Sequence, residues 1–246
     1  LYYADRVYQI NLAIAGIAVS TVSLPVLSNL IKNKKINQAN KIQNKSIELS
    51  LLLSLPAGIA LIIGSEQIIN ALFGYGSFTE KDIEQTSLAL KYFGYGIPAF
   101  AVLKIFANFF FARDNTIIPF KVSSIVVFIN IAISILFFKQ IGFIIIPIAT
   151  TLSTWIGVCY YLYLLLKTGY LEINPKLYIN FVKILFSTSI MSYTFLKCLN
   201  YFAKNLTYSS EYKILYLLFI VISVALLYFL ICYFLRLLNV KSFKTN

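Results

Sequence analysis

The sequence predicts an all-α integral membrane protein of seven transmembrane helices, and three observations carry that expectation. Of its 246 residues 59% are hydrophobic and 12% charged, with a mean hydropathy of +0.80, which is a membrane composition rather than that of a soluble domain. The apolar residues fall into seven runs of about the length, roughly 20 residues, that a helix needs to cross a hydrocarbon core. All seven are too long for barrel strands, and a lone run inside lipid satisfies its own backbone only as a helix. The runs are residues 10–31, 47–69, 88–111, 122–138, 143–166, 177–199 and 214–238.

The first run opens on Tyr2-Tyr3-Ala4-Asp5-Arg6, which sets an acid and an arginine at its mouth. An ionisable group within a span costs on the order of 3 kcal/mol by insertion scales and is usually kept for work in an interior or a wet path. Arg6 is therefore the first candidate for contact with a substrate. On a helix Arg6, Gln9, Ala13, Gly16, Ser20 and Ser23 recur at steps of three or four and share one small, polar face. Such a face either packs a neighbour closely, since Gly16 and Ser20 have the small-xxx-small form, or walls a hydrated cavity with Arg6 at its end. Asp5 points about 100° away from Arg6, and is expected to orient a neighbouring helix rather than to neutralise the arginine.

Pro25, Pro56, Pro98 and Pro147 interrupt four of the runs, as simple kinks or as the broken helices from which transporters build sites. Gly74-Tyr75-Gly76-Ser77 predicts a tight turn, and Thr79 followed by Asp82 predicts a helix start. In the third run Lys91 lies near an end and can snorkel. Lys104 is deeper, flanked by Val102, Leu103, Ile105 and Phe106, and calls for a cavity or a partner. Asn130 and Ser134 are one turn apart on the fourth run, and Thr150 and Thr151 lie on the fifth. Interhelical hydrogen bonding is the default for such oxygens; a monovalent cation site is the alternative, and it lacks a carboxylate. Asn174-Pro175 predicts a hinge between a core bundle, residues 1–168, and a two-helix appendage, residues 169–246.

Basic residues set the orientation. Grouping alternate connections places thirteen Lys and Arg on one side, from Lys32 to Lys244, and five on the other: Lys81, Lys139, Lys197, Lys204 and Lys213. The richer side is expected to be cytoplasmic, so that the chain enters the membrane from outside at Tyr2 and ends inside at Asn246. These charges sit in short connections, with no basic patch interleaved by aromatics, so the net charge of +12 does not call for nucleic acid.

The absence of histidine removes the commonest general base and zinc ligand. Nine scattered acids do not form the cluster that a membrane glycosyltransferase or acyltransferase needs. Cys159, Cys198 and Cys232 lie in separate runs with no C-x-x-C pair, and read as packing residues. A seven-helix retinal receptor would need a lysine in its last span, which is absent. Neither enzymatic chemistry nor a cofactor is expected, then, and the four prolines lean toward a machine that moves. The chain opens at Leu1 with neither an initiator methionine nor a signal-peptide pattern, and is expected to be a fragment.

Five stretches taken together resemble the MurJ (MviN) family of bacterial lipid II flippases, within the MOP superfamily. They are Tyr2-Tyr3-Ala4-Asp5-Arg6-Val7-Tyr8-Gln9, Leu24-Pro25-Val26-Leu27-Ser28, Leu55-Pro56-Ala57, Gly96-Ile97-Pro98-Ala99-Phe100-Ala101-Val102-Leu103-Lys104, and Phe111-Ala112-Arg113-Asp114-Asn115-Thr116 with Pro119 and Lys121. The resemblance implies that residues 1 to about 168 are helices eight to twelve, the second lobe of a fourteen-helix transporter, followed by helices thirteen and fourteen. It implies a V-shaped pair of lobes around a cationic cavity in the bacterial cytoplasmic (inner) membrane. There, arginines hold the pyrophosphate and head of an undecaprenyl-pyrophosphate-linked peptidoglycan precursor while its tail stays among the membrane lipids. The precursor crosses from the inner to the outer leaflet by alternating access. On that resemblance Arg6 falls on a cavity arginine, and together with Asp5, Gln9 and Lys104, which the residue pattern singles out, it makes the expected substrate-binding set; the partner is an N-terminal lobe absent from this chain. A cation site found in some members would fall here on Asn130, Ser134 and Thr150, without an acid and without helix seven. The alternative is a related MOP exporter of lipid-linked O-antigen, polysaccharide or drugs.

Overall fold

The computed structural model describes residues 1–238; Lys241, Lys244 and the expected cytoplasmic end at Asn246 lie outside the described residues. Helix α1 (Tyr2–Leu12) runs through a π turn (Ala13–Ile17) into α2 (Ala18–Lys32), and together they form one rod. There follow α3 (Ile36–Ile63), a short α4 (Ser65–Phe73), α5 (Glu80–Phe111), α6 (Ile117–Ile141), α7 (Ile145–Lys167), α8 (Pro175–Tyr201) and α9 (Lys213–Phe234).

Among the described residues six helical stretches are long and apolar enough to cross a membrane. One of them, Ile117–Lys167, has 51 residues, or about 75 Å of helix against a hydrocarbon core of about 30 Å. Gly142, at φ 74°, folds it into α6 and α7, which pack side by side. A side chain at that φ would be strained, so glycine is what permits the reversal. Seven apolar rods result, as the hydropathy predicts.

The boundaries differ from the apolar runs in one consistent way. Helix α3 starts at Ile36 rather than at 47 and takes Lys41 and Lys45 into its first turns. Hydropathy marks where a helix meets hydrocarbon, whereas the helix itself continues into the polar zone. The end of the predicted second span is broken off at Gly64 as α4, and the absence of a side chain there lets the Phe195 ring of α8 come close, since a side-chain carbon would lie 2.9 Å from it. The predicted helix start at Thr79 is a full capping box, with Asp82 N–H donating to Thr79 Oγ1 and Thr79 N–H to Asp82 Oδ2. Such a cap is worth about 1 kcal/mol.

Helix α5 is the centre of the bundle: 72% of its most apolar stretch is buried, against 17% for Ile117–Lys167. In lipid the helices are held by close packing rather than by exclusion of water, and small residues permit the approach. A carbon added to Gly58 would lie 2.8 Å from the Gly94 carbonyl oxygen where α3 crosses α5. The hairpin of α8 and α9 packs mainly on α3 and α4.

Side-chain contacts gather the connections at two ends of the bundle, as the alternating charge count requires. At one end Arg113 donates to the Tyr170 carbonyl at 2.9 Å, and Lys45 to that of Leu237 at 3.5 Å. The Asn174 segment, expected as a hinge, is held at this end by Asn44, which donates to Glu172 and accepts from Asn174 N–H. At the other end Tyr208 reaches the Phe78 carbonyl at 3.0 Å.

Candidate functional site

The site is built from the first two turns of α1. Arg6 is exposed, its guanidinium 4.8 Å from the Tyr2 ring centre and 3.4 Å from Gln9 Oε1. Gln9 in turn donates to Asp5 Oδ2 at 2.5 Å. These residues are three and four apart, so the helix itself lines them up. Asp5 fixes Gln9, and Gln9 steadies Arg6. Asp5 makes no ion pair with Arg6; among the described residues the one ion pair is Lys45 with Glu48.

Asp5, Tyr8 and Gln9 face a groove of about 510 Å³ closed on its other sides by Phe93 and Phe100 of α5 and by Ile146 and Thr150 of α7. Its floor is aromatic, with Tyr8 stacked on Phe93 at 4.9 Å and edge-on to Phe100 at 5.3 Å. Its rim is polar, from Asp5 and Gln9 on one side and Thr150 on the other. The sequence reading missed Tyr8, Phe93 and Phe100, because an aromatic lining a groove has the same local signature as one in a core.

The predicted polar face of the first rod splits in two. Arg6, Gln9 and Ala13 are exposed, whereas Gly16, Ser20 and Ser23 are buried. The π turn between them inserts one extra residue, which rotates everything after it by about 100°. Below the turn the face is a packing seam: Gly16 lies against Ala101, with only 3.3 Å to spare for a side-chain carbon, and Asn108 donates to Ser20. A lone amide between Ala107 and Phe109 was the signal for Asn108.

Lys104 is exposed and stands one turn beyond Phe100 on α5. It lies past the crossing of Gly16 and Ala101 while Arg6 lies before it, so the two cations are roughly 20 Å apart along the rods. The structure does not bring them together. Asn130, Ser134 and Thr150 do converge: Asn130 donates to Thr150 Oγ1 at 3.1 Å, and Ser134 to Asn130 Oδ1 at 3.3 Å. That chain is the interhelical hydrogen bonding of α6 with α7. No group of three or more His, Cys, Asp or Glu among the described residues is placed to hold a metal ion.

The described residues form a bundle of apolar helices with an aromatic-floored, polar-rimmed groove, which is the class of multi-pass membrane proteins. A family model for the lipid II flippase MurJ matches residues 1–218. A probable lipid II flippase MurJ of Rickettsia prowazekii is 35% identical over 87% of this chain and 42% of its own length. One of Rhizobium tropici is 36% identical over 78% of this chain and 36% of its own. A solved lipid II flippase MurJ, in an inward closed conformation, superimposes with a TM-score of 0.76 at 28% identity, over 95% of this chain and 46% of its own. The chain belongs to the lipid II flippase MurJ family, and it spans less than half the length of these relatives.

Proposed function

We propose that the chain is the second lobe of a lipid II flippase. It works with an N-terminal lobe to move the lipid-linked peptidoglycan precursor from the inner to the outer leaflet of the bacterial cytoplasmic membrane by alternating access. Residues 1–168 form the transport lobe and 169–246 the appended pair of helices. The thirteen-to-five asymmetry of basic residues supports a periplasmic N-terminal end and a cytoplasmic C-terminus.

One observation carries the reading: Arg6 is an exposed arginine on a membrane helix, steadied by Gln9 and Tyr2 yet paired with no carboxylate among the described residues. A guanidinium stays charged and offers a planar fork to phosphate oxygens, which fits a pyrophosphate. Asp5 and Gln9 position it, and Lys104 adds a second positive charge deeper along the path. Flipping breaks no bond, so the reading is of a transporter and not an enzyme. Membrane potential acts on each charge that crosses with about 2.3 kcal/mol per 100 mV and can contribute to the drive.

The test is reconstitution of the complete transporter in liposomes with labelled lipid II and, in parallel, a lipid-linked O-antigen precursor. Transport of lipid II alone is expected, and this chain by itself should move neither. Preference for the O-antigen precursor would shift the assignment to a related exporter.

A further inference from the structure

Lys213, the first residue of α9, is 1% exposed. Its ammonium donates to the Gly74 carbonyl at 2.6 Å, the Tyr208 carbonyl at 2.8 Å and Asn70 Oδ1 at 3.2 Å. The rings of Tyr75 and Tyr208 lie 4.2 and 5.0 Å from it. An ammonium has three donors and no acceptor, and here every donor meets a neutral oxygen. No carboxylate is within ion-pair distance among the described residues.

A buried charge with no counter-ion is costly, so the compensation must come from dipoles. Asn70 and Gly74 close the end of α4, where the helix dipole is negative, and the two ring faces carry negative quadrupoles. Carbonyl oxygens and ring faces are the donors of a monovalent-cation site, in this case filled by a cation tethered to the chain. The cage is specifically built. A side-chain carbon at Gly74 would collide with Asn70 Oδ1 and the Asn70 carbonyl, so glycine is needed there to leave Asn70 in place. The same two segments are joined twice more, by Asn70 donating to Leu206 O at 2.8 Å and by Tyr208 Oη donating to Phe78 O.

We propose that Lys213 is an internal cation whose carbonyl-and-aromatic cage fastens α9 to the turn after α4, and that the cage, once vacated, takes a small alkylammonium ion. The α8 and α9 hairpin therefore moves with this end of the bundle as one body. The inference stands whatever the lobe transports.

Lys213→Ala removes Cγ, Cδ, Cε and Nζ, which n-propylammonium replaces atom for atom. The full chain in detergent is followed by thermal unfolding. Lys213→Ala and Lys213→Met should both melt several degrees below the parent. Propylammonium should raise Lys213→Ala saturably, while leaving unchanged the parent and Lys213→Met, whose side chain occupies the space the lysine stem vacates; propan-1-ol should do nothing. A Lys213→Met protein as stable as the parent, or a Lys213→Ala protein that propylammonium does not raise, would overturn the proposal. If Lys213→Ala gives no folded protein, Asn70→Leu and Asn70→Asp decide with Lys213 intact. Leu should lower the melting temperature more than Asp, which supplies a counter-ion; the reverse order contradicts a caged ammonium.

Discussion

The amide of Asn108 donates to both oxygens of Ser20, to the carbonyl at 2.8 Å and to the hydroxyl at 2.7 Å. Both side-chain hydrogens of a residue 5% exposed are thereby used, and they tie α5 to α2 just below the crossing of Gly16 on Ala101. Asn108→Leu is expected to destabilise the bundle by about 1 kcal/mol, the scale of interhelical hydrogen bonds in membranes. Thermal unfolding in detergent measures it. Cys159→Ala, at an exposed position, should be nearly silent in the same assay, and an equal loss for both would deny the bond any special role.

A second prediction concerns the close backbone approach of α3 to α5 at Gly58. Gly58 has no room for a side chain because the Gly94 carbonyl is 2.8 Å from where its carbon would sit, and Pro98 lies behind at 3.3 Å. Backbone cannot give way as a side-chain end can. Gly58→Leu should therefore cost about 1–3 kcal/mol as overpacking, visible as a lower melting temperature, and Gly58→Ala less. A Gly58→Leu protein with the parent's stability would mean that α3 and α5 separate freely.

Orientation gives a third prediction. Asn37 and Ser77 are both exposed and lie at opposite ends of the bundle. With Cys159, Cys198 and Cys232 replaced, a membrane-impermeant thiol reagent applied to intact cells should modify Ser77→Cys and spare Asn37→Cys. The opposite pattern would invert the topology drawn from the basic residues.

Much of the fold could be read from sequence because hydrocarbon imposes length and polarity on every crossing segment. The seven runs, the cap at Thr79 and the alternation of the connections are of this kind. The extension of α3 through Asn37 to Asn44 was not legible, since a helix outside the hydrocarbon leaves no trace in hydropathy. Nor was the π turn at Ala13–Ile17, which has no marker residue, yet it decides that Arg6 and Gln9 are open while Ser20 and Ser23 are packed. Arg6 was legible because a charge in an apolar run is conspicuous. Lys213 counted as one more loop charge because its cage partner Asn70 is 143 positions away, and only the fold brings them together.

In the proposed flippase Arg6 grips the precursor's phosphates. Its most direct test is complementation of a flippase-depleted bacterium by the complete transporter carrying Arg6→Ala, Arg6→Lys or Lys139→Ala, with membrane levels checked by blotting. Arg6→Ala should abolish growth. Arg6→Lys should restore little of it, since lysine keeps the charge but loses the planar fork, and Lys139→Ala, exposed at the end of α6, should grow normally. Normal growth with well-expressed Arg6→Ala would rule out a phosphate-gripping role and leave Arg6 as an end cap of the first rod.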